Sequence, residues 1–281
     1  MFLFAATVAT TWLAGGAAYS VAVMTILLCH EMGHYVLARR HGVDASLPFF
    51  IPLPFLSLFG TMGAVIVMRS RLSTREAVVD IGAAGPLAGA LVAIPLTLWG
   101  LHLSTWVSPE IPRAVFGHGL WSAISQLVGR APFRASHALI PVEYHSMLFA
   151  LLAKIALPAR PPGTEILLHP MAWAGWVGLF VTSLNLLPIG QLDGGHVAYA
   201  LFGPRGHRLI GRAAITILII LSLVSFAGWL LWALIAWKLV GTRHPPIDAP
   251  ERPLDLRRRL IGLASLVLLI LTFLPNPLEL G

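Results

Sequence analysis

From Ala17 to Cys29 the chain carries no charged residue, and this run leads directly into His30-Glu31-Met32-Gly33-His34. A stretch of this kind reads as a helix inside a membrane, where every backbone group must find its partner within the segment. Ionisable side chains at such a depth are costly and as a rule functional. On a helix, His30 and His34 project from one face, one turn apart. Two imidazoles so placed suit two corners of a tetrahedral zinc. Glu31 lies beside them without being a ligand, where it can take a proton from metal-held water. The competing reading is an interfacial helix end that happens to be polar, and the charge-free run before the motif argues against it. Cys29 points about 100° away from His30 on the same helix, so it reads as a buried apolar residue and not as a ligand.

Composition supports a membrane setting. The chain has 281 residues, of which 57% are hydrophobic and 11% charged, and several apolar runs are long enough to cross a bilayer. The net charge of +7 does not imply nucleic acid, because the basic residues sit at the ends of apolar runs instead of forming one face. A single cysteine excludes an intramolecular disulfide. Met1-Phe2-Leu3 lacks the basic start of a cleavable signal, although Gly15-Gly16-Ala17-Ala18 resembles a small-residue cleavage site.

Phe2 to Ala14 is short for a full span and should break at Gly15-Gly16, with the motif helix running from Ala17 to Arg40. Residues 43 to 70 should not be helical, because Pro48, Pro52 and Pro54 interrupt the period. Phe49-Phe50-Ile51 and the glycine-punctuated, β-branched run Gly60 to Met68 read as two short strands. Arg75 to Leu101 is the next span, with Gly82, Gly85 and Gly89 forming a close-packing seam and Asp80 an interfacial carboxylate. Residues 102 to 144 read as a loop, and His102, His118, His137 and His145 have no ligand spacing. Ser146 to Leu157 is too short to span comfortably. Further spans are expected at Pro170 to Leu187, in a hairpin over Leu209 to Leu239 with a break at Ala227-Gly228, and at Leu260 to Leu274. The class is therefore an all-α polytopic membrane protein of about six transmembrane helices, with a short membrane-associated β-hairpin or sheet near the active site. It is expected to form one domain over residues 1–281, with a core at 17–205 and C-terminal helices at 209–274.

Two histidines leave a catalytic zinc one protein ligand short. Asp193 is the candidate at matching depth, in the stretch Asn185-Leu186-Leu187-Pro188-Ile189-Gly190-Gln191-Leu192-Asp193-Gly194-Gly195-His196, where proline and glycines should unwind the helix. His196 is expected outside the ligand set. Asn185 is placed to donate hydrogen bonds near the metal, as an oxyanion donor or a clamp on substrate backbone. The strand edge of residues 60–68, with Val65 and Val67 as candidate contacts, could hold an unwound substrate by β-augmentation.

His30-Glu31-x-x-His34 followed by Asn185-x-x-Pro188-x-x-x-Leu192-Asp193-Gly194 resembles the paired signature of the site-2 protease family of intramembrane zinc metalloproteases, peptidase family M50. Phe59-Gly60-Thr61-Met62-Gly63, Ala84-Gly85-Pro86 and Gln191 to His196 are similar to the EGY-type branch, and the resemblance covers roughly residues 5 to 240. It implies His30, His34 and Asp193 as ligands of one Zn2+, Glu31 as catalytic base, and transmembrane proteins in a lipid bilayer as substrates for regulated proteolysis. Two other classes were weighed. An ion transporter should show paired broken helices from an internal repeat, and none is found. A catalytically silent zinc-binding scaffold or chaperone would have no need of Glu31.

Placing the ends of the second and fourth spans on one side puts 14 of the 19 Lys and Arg there, against five (Arg113, Arg130, Arg134, Lys154 and Arg160) opposite. By the positive-inside rule the first side is cytoplasmic, in a bacterial-type plasma membrane. A full crossing by residues 146–157 would put Asp193 on the opposite side from His34, so that segment is expected not to cross. Cysteine labelling in a Cys29→Ser background tests this topology. A cysteine at residue 120 should react with impermeant reagent from outside, and labelling only from the cytoplasm would overturn the assignment.

Overall fold

The computed structural model of the chain describes residues 2–54, 57, 59–70, 72–108, 146–241, 243–247 and 253–275. Most of the loop expected at 102–144, including His118 and His137, lies outside the described residues, as does His145. The chain divides into two compact units, one of Met1–Leu28, Phe49–Val65 and Leu91–Leu179, the other of Cys29–Pro48, Ile66–Ala90 and Phe180–Gly281. Among the described residues, three helices are long and apolar enough to cross a membrane. They are α1 (Phe2–Arg40), α2 (Arg75–His102) and α5 (Asp193–Val224).

In the first unit, α1 breaks where the sequence requires it. Gly16 has φ 80° and ψ −179°, which joins two helices across a kink. The Ser20 hydroxyl donates to the Val8 carbonyl at 3.1 Å and lies 2.7 Å from Thr11 Oγ1. Twelve residues of straight helix would separate Val8 and Ser20 by about 18 Å, so the chain doubles back at the glycine. The expected strands are β1 (Phe49–Pro52) and β2 (Thr61–Val65), paired antiparallel with Phe49 opposite Val65 and Phe50 opposite Ala64. Gly60, immediately before the second strand, has φ 72°, and a Cβ there would strike the Thr10 backbone. The hydroxyl of the fully buried Tyr19 donates to the Phe59 carbonyl at 3.0 Å.

The amphipathic helix α3 (Met147–Ala156) is capped by Ser146, whose hydroxyl accepts the Phe149 amide. Its 10 residues extend about 15 Å, half of a hydrocarbon core, consistent with a segment that does not cross. A second two-stranded sheet, β3 (Thr105–Val107) with β4 (Glu165–Leu167), has no counterpart in the sequence reading. Helix α4 (Pro170–Asn185) packs through Gly175 against Thr97 of α2.

In the second unit the core gathers Ala38, Val78, Ile81, Tyr199 and Ala200 with Ile247 and Leu254. Asp80 accepts from Arg258 Nε and pairs with His41 Nε2, each at 2.9 Å, so its carboxylate ties the start of α2 to these two side chains. Helix α5 runs through residues 203–208, with a kink at Gly203 (φ 69°) before Pro204. Pro204 has no N–H for the Ala200 carbonyl four residues back. The Arg75 guanidinium supplies the missing donors, Nε at 3.0 Å and Nη2 at 2.5 Å. The expected C-terminal hairpin is the second half of α5, a break at residues 225–227, α6 (Gly228–Ile235) and a π-helical turn, Ala236–Val240. Leu187, Ile189, Leu218 and Trp229 form its core. The last helix is α7 (Leu256–Thr272), N-capped by Asp255.

Candidate metal centre

All residues of the centre belong to the second unit. Helical spacing sets His30 and His34 a turn apart on α1, their ring centroids 5.0 Å from one another, and both side chains are buried. The third group comes from the turn between α4 and α5. Helix α4 ends at Asn185 and α5 begins at Asp193. Gly194 and Gly195 let the start of α5 lie directly on the Leu186 and Gly190 carbonyls, which occupy the places their Cβ atoms would take. That contact brings Asp193 Oδ2 to 3.2 Å from His30 Nε2 and 3.2 Å from His34 Nε2. Among the described residues these three form the one group of metal-binding side chains whose ligand atoms all lie within 4.8 Å.

The chemistry of these atoms suits a bound cation. His34 Nδ1–H donates to the Ile81 carbonyl at 2.7 Å, so in the neutral ring Nε2 carries a lone pair. That lone pair faces a carboxylate oxygen, which also only accepts. A tetrahedral ion with ligand bonds of 2.0–2.1 Å holds its ligand atoms about 3.3–3.4 Å apart, close to the separations found here. Two neutral imidazoles and one carboxylate match the donor set of catalytic zinc, and the Ile81 bond is the outer contact that fixes a ligating histidine's tautomer.

Glu31, also buried, stands outside this set, and its carboxylate accepts a hydrogen bond from the backbone of Ile66. Asn185 Nδ2 lies 3.3 Å from His30 Nε2, on the ligand-bearing side of the ring. Val67 donates to Ser46 Oγ and accepts from the Ser46 amide, each at 3.0 Å, so its peptide groups are engaged. Backbone groups alternate along an extended chain, so those of Ile66 and, two residues earlier, Ala64 point away from that partner. Val65 has a half-exposed side chain and pairs with Phe49. His196 lies outside the group of His30, His34 and Asp193; its Nδ1 is 2.7 Å from His244 Nε2. Sequence reasoning had no signal for His244, a lone histidine between an arginine and two prolines.

The glycine seam of α2 turns out to be the seat of the centre. Gly82, Gly85 and Gly89 fall on one helical face. A Cβ at Gly85 would overlap the His34 ring at Nε2; one at Gly89 would meet His30 Nδ1 at 3.1 Å, and one at Gly82 would meet His196 Cβ at 2.7 Å. Their spacing was legible, but the surface they receive was not.

The sequence description that matches residues 18–228 is that of Peptidase family M50. The chain belongs to this family. Among M50 relatives, it is 32% identical over 259 residues to the "Probable zinc metalloprotease EGY1, chloroplastic" of Arabidopsis thaliana, covering 90% of this chain and 42% of that protein. The EGY1 protein of Oryza sativa subsp. japonica is 32% identical over 265 residues, covering 90% and 39%. The "Probable zinc metalloprotease EGY2, chloroplastic" of Arabidopsis thaliana is 29% identical over 253 residues, covering 90% and 40%. The chain thus spans about two-fifths of the length of these relatives. No solved structure matches.

Gly85→Ala should disrupt the centre without touching a ligand. Metal content of the purified variant should fall at least tenfold, the scale of losing a contact that orients a ligand. Leu91→Ala, at an exposed position on the same helix, should keep its metal. Wild-type metal content in Gly85→Ala would show that the glycine face does not seat His34.

Proposed function

We propose that this M50 protein is an intramembrane zinc metalloprotease that hydrolyses peptide bonds within or near transmembrane segments of other membrane proteins. The observation that carries this reading is the buried group of His30, His34 and Asp193, with the carboxylate of Glu31 beside it and outside it. When bound, zinc supplies a Lewis acid that polarises water and the scissile carbonyl. His30 and His34 contribute neutral nitrogen ligands held by helix spacing, and Asp193 contributes the one ligand charge. Glu31 takes a proton from the attacking water as its oxygen bonds to the carbonyl carbon. It returns that proton to the amide nitrogen as the C–N bond breaks. The Ile66 backbone fixes the carboxylate for both transfers. Asn185, already turned toward the metal side of His30, is placed to donate to the oxygen on which negative charge develops.

A helical substrate hides its carbonyls in its own hydrogen bonds and must unwind to be cut. The strand running from β2 into Ile66 is the proposed holder, by β-augmentation. Because Val67 is engaged with Ser46 and the Ile66 amide with Glu31, the outward peptide groups of Ala64, with the Ile66 carbonyl, are the ones we assign to substrate. The remaining topology follows the charge pattern: about six spans in a single protease domain, in a bacterial-type plasma membrane, with the centre toward the cytoplasmic side. The named relatives are chloroplast proteins. A silent scaffold is disfavoured because it gives Glu31 no reason to occupy a buried position beside the ligands.

Glu31→Gln removes the base and no ligand. The variant should keep its zinc while cleavage of a co-reconstituted single-span substrate falls at least about a hundredfold. Near-normal turnover would mean that another group activates the water.

Ala64→Pro deletes one outward amide of the strand and leaves every ligand intact. It should retain zinc and lose cleavage. If it cleaves normally, the strand is scaffolding and Asn185 becomes the leading candidate for the clamp.

A further inference from the structure

Residues 241 and 243–247 follow the π-helical turn and lie beyond residues 18–228, the stretch matched to the family. They form a strap over the elements that carry Asp193. At one end the Gly241 carbonyl occupies the place where a Cβ of Gly190 would be, and Gly190 has φ 53°. At the other end Ile247 is buried in the cluster containing Tyr199 and Ala200. Between them the His244 ring stacks on Tyr199, with centroids 4.1 Å apart and planes 19° apart, and meets His207 edge-on at 6.0 Å. His207 in turn bonds the Gly190 carbonyl at 3.0 Å. The strap therefore ties the turn before Asp193 to the helix after it.

The polar link is between His244 Nε2 and His196 Nδ1, at 2.7 Å. His244 Nδ1 lies 2.7 Å from the Pro245 carbonyl, which can only accept, so Nδ1 carries the proton. Burial holds the His244 pKa below the ordinary imidazole value, so the ring is neutral and Nε2 accepts. His196 Nδ1–H must then be the donor. His196 follows Asp193 by three residues, almost one helical turn, and its Cβ packs over Gly82.

We infer that His244 is a positioning residue for the metal centre: by accepting the hydrogen bond of His196 it fixes the first turn of α5, and with it the Asp193 carboxylate, at ligand distance from His30 and His34. The inference rests on the reading of His30, His34 and Asp193 as a zinc site. It places a determinant of metal affinity in a segment outside the family match.

The test is the affinity of the purified full chain for zinc ion, measured by competition with a chromogenic chelator, with the thermal transition of each variant recorded alongside. His244→Ala should weaken zinc binding about 10- to 100-fold, the range for losing an outer contact of a ligand. His244→Gln, whose side-chain oxygen can accept the same bond, should restore most of it. His196→Ala should match His244→Ala, and the double variant should be no weaker than either single one, because both remove one interaction. If His244→Ala does not fold, His196→Asn, which keeps a donor near the Nδ1 position, should still bind more tightly than His196→Leu. Wild-type affinity in His244→Ala, losses that multiply in the double variant, or equal affinities for His196→Asn and His196→Leu would each overturn the role of His244. A wild-type chain that binds no zinc, or an Asp193→Ala variant that binds it unchanged, would instead overturn the metal site itself.

Discussion

The lone pair of His34 Nε2 and the carboxylate oxygen of Asp193 face each other at 3.2 Å, and His30 Nε2 approaches the same oxygen at the same distance. In a buried setting this convergence is unfavourable unless a proton or a metal cation is shared among the three atoms. The Ile81 carbonyl ties up the far nitrogen of His34, and the glycine face of α2 seats both rings. The centre is thus held open by backbone. A carbonyl orients one ring, two glycines seat both rings, and two more glycines let α5 begin within reach of them. Backbone supports of this kind are rigid, which is what a site that must hold ligand atoms to fractions of an ångström requires.

The same unit shows how the chain tolerates interrupted helices. A break frees carbonyls and amides that lipid cannot satisfy. At Pro204 the orphaned Ala200 carbonyl is met by Arg75, a side chain from the start of α2. At Gly16 in the first unit the reversal is stitched by Ser20 and Thr11, whose hydroxyls also bond backbone carbonyls of α1. Between α4 and α5 the interruption is itself the useful feature. It lifts Asp193 to the first position of a helix, where the helix dipole favours a carboxylate.

What was legible in the sequence follows from how local each signal is. Histidine spacing, the Gly15-Gly16 break and the proline-blocked stretch ahead of β1 are decided by neighbours along the chain, and each took the expected form. The strands of the second sheet have three residues each and are separated by a long uninformative stretch, so neither had a pattern of its own. Gly203-Pro204 is a pair that usually ends a helix. Here Arg75, distant in sequence, supplied the bond that let helical structure resume. The engagement of Val67 depends on the Ser46 side chain, a contact no periodicity encodes. His244 is the extreme case, since its role depends on partners 37 to 48 residues away.

The contrast between the two kinds of ligand explains why distant residues matter to one and not the other. His30 and His34 are fixed relative to each other by the helix that carries both, so only their common orientation needs outside help, and α2 provides it. Asp193 has no such partner in sequence. Its position is the sum of a turn held by Gly190, Gly194 and Gly195, a helix start packed over Gly82, and whatever braces that turn from outside. A carboxylate displaced by even an ångström would leave the two imidazoles as an incomplete set, whereas the converse error, a tilted α1, would move both histidines together. The proposed third ligand is therefore where the geometry is most exposed to perturbation. It is also where the chain concentrates its glycines and its buried histidines, and where a strap beyond the family match comes to rest.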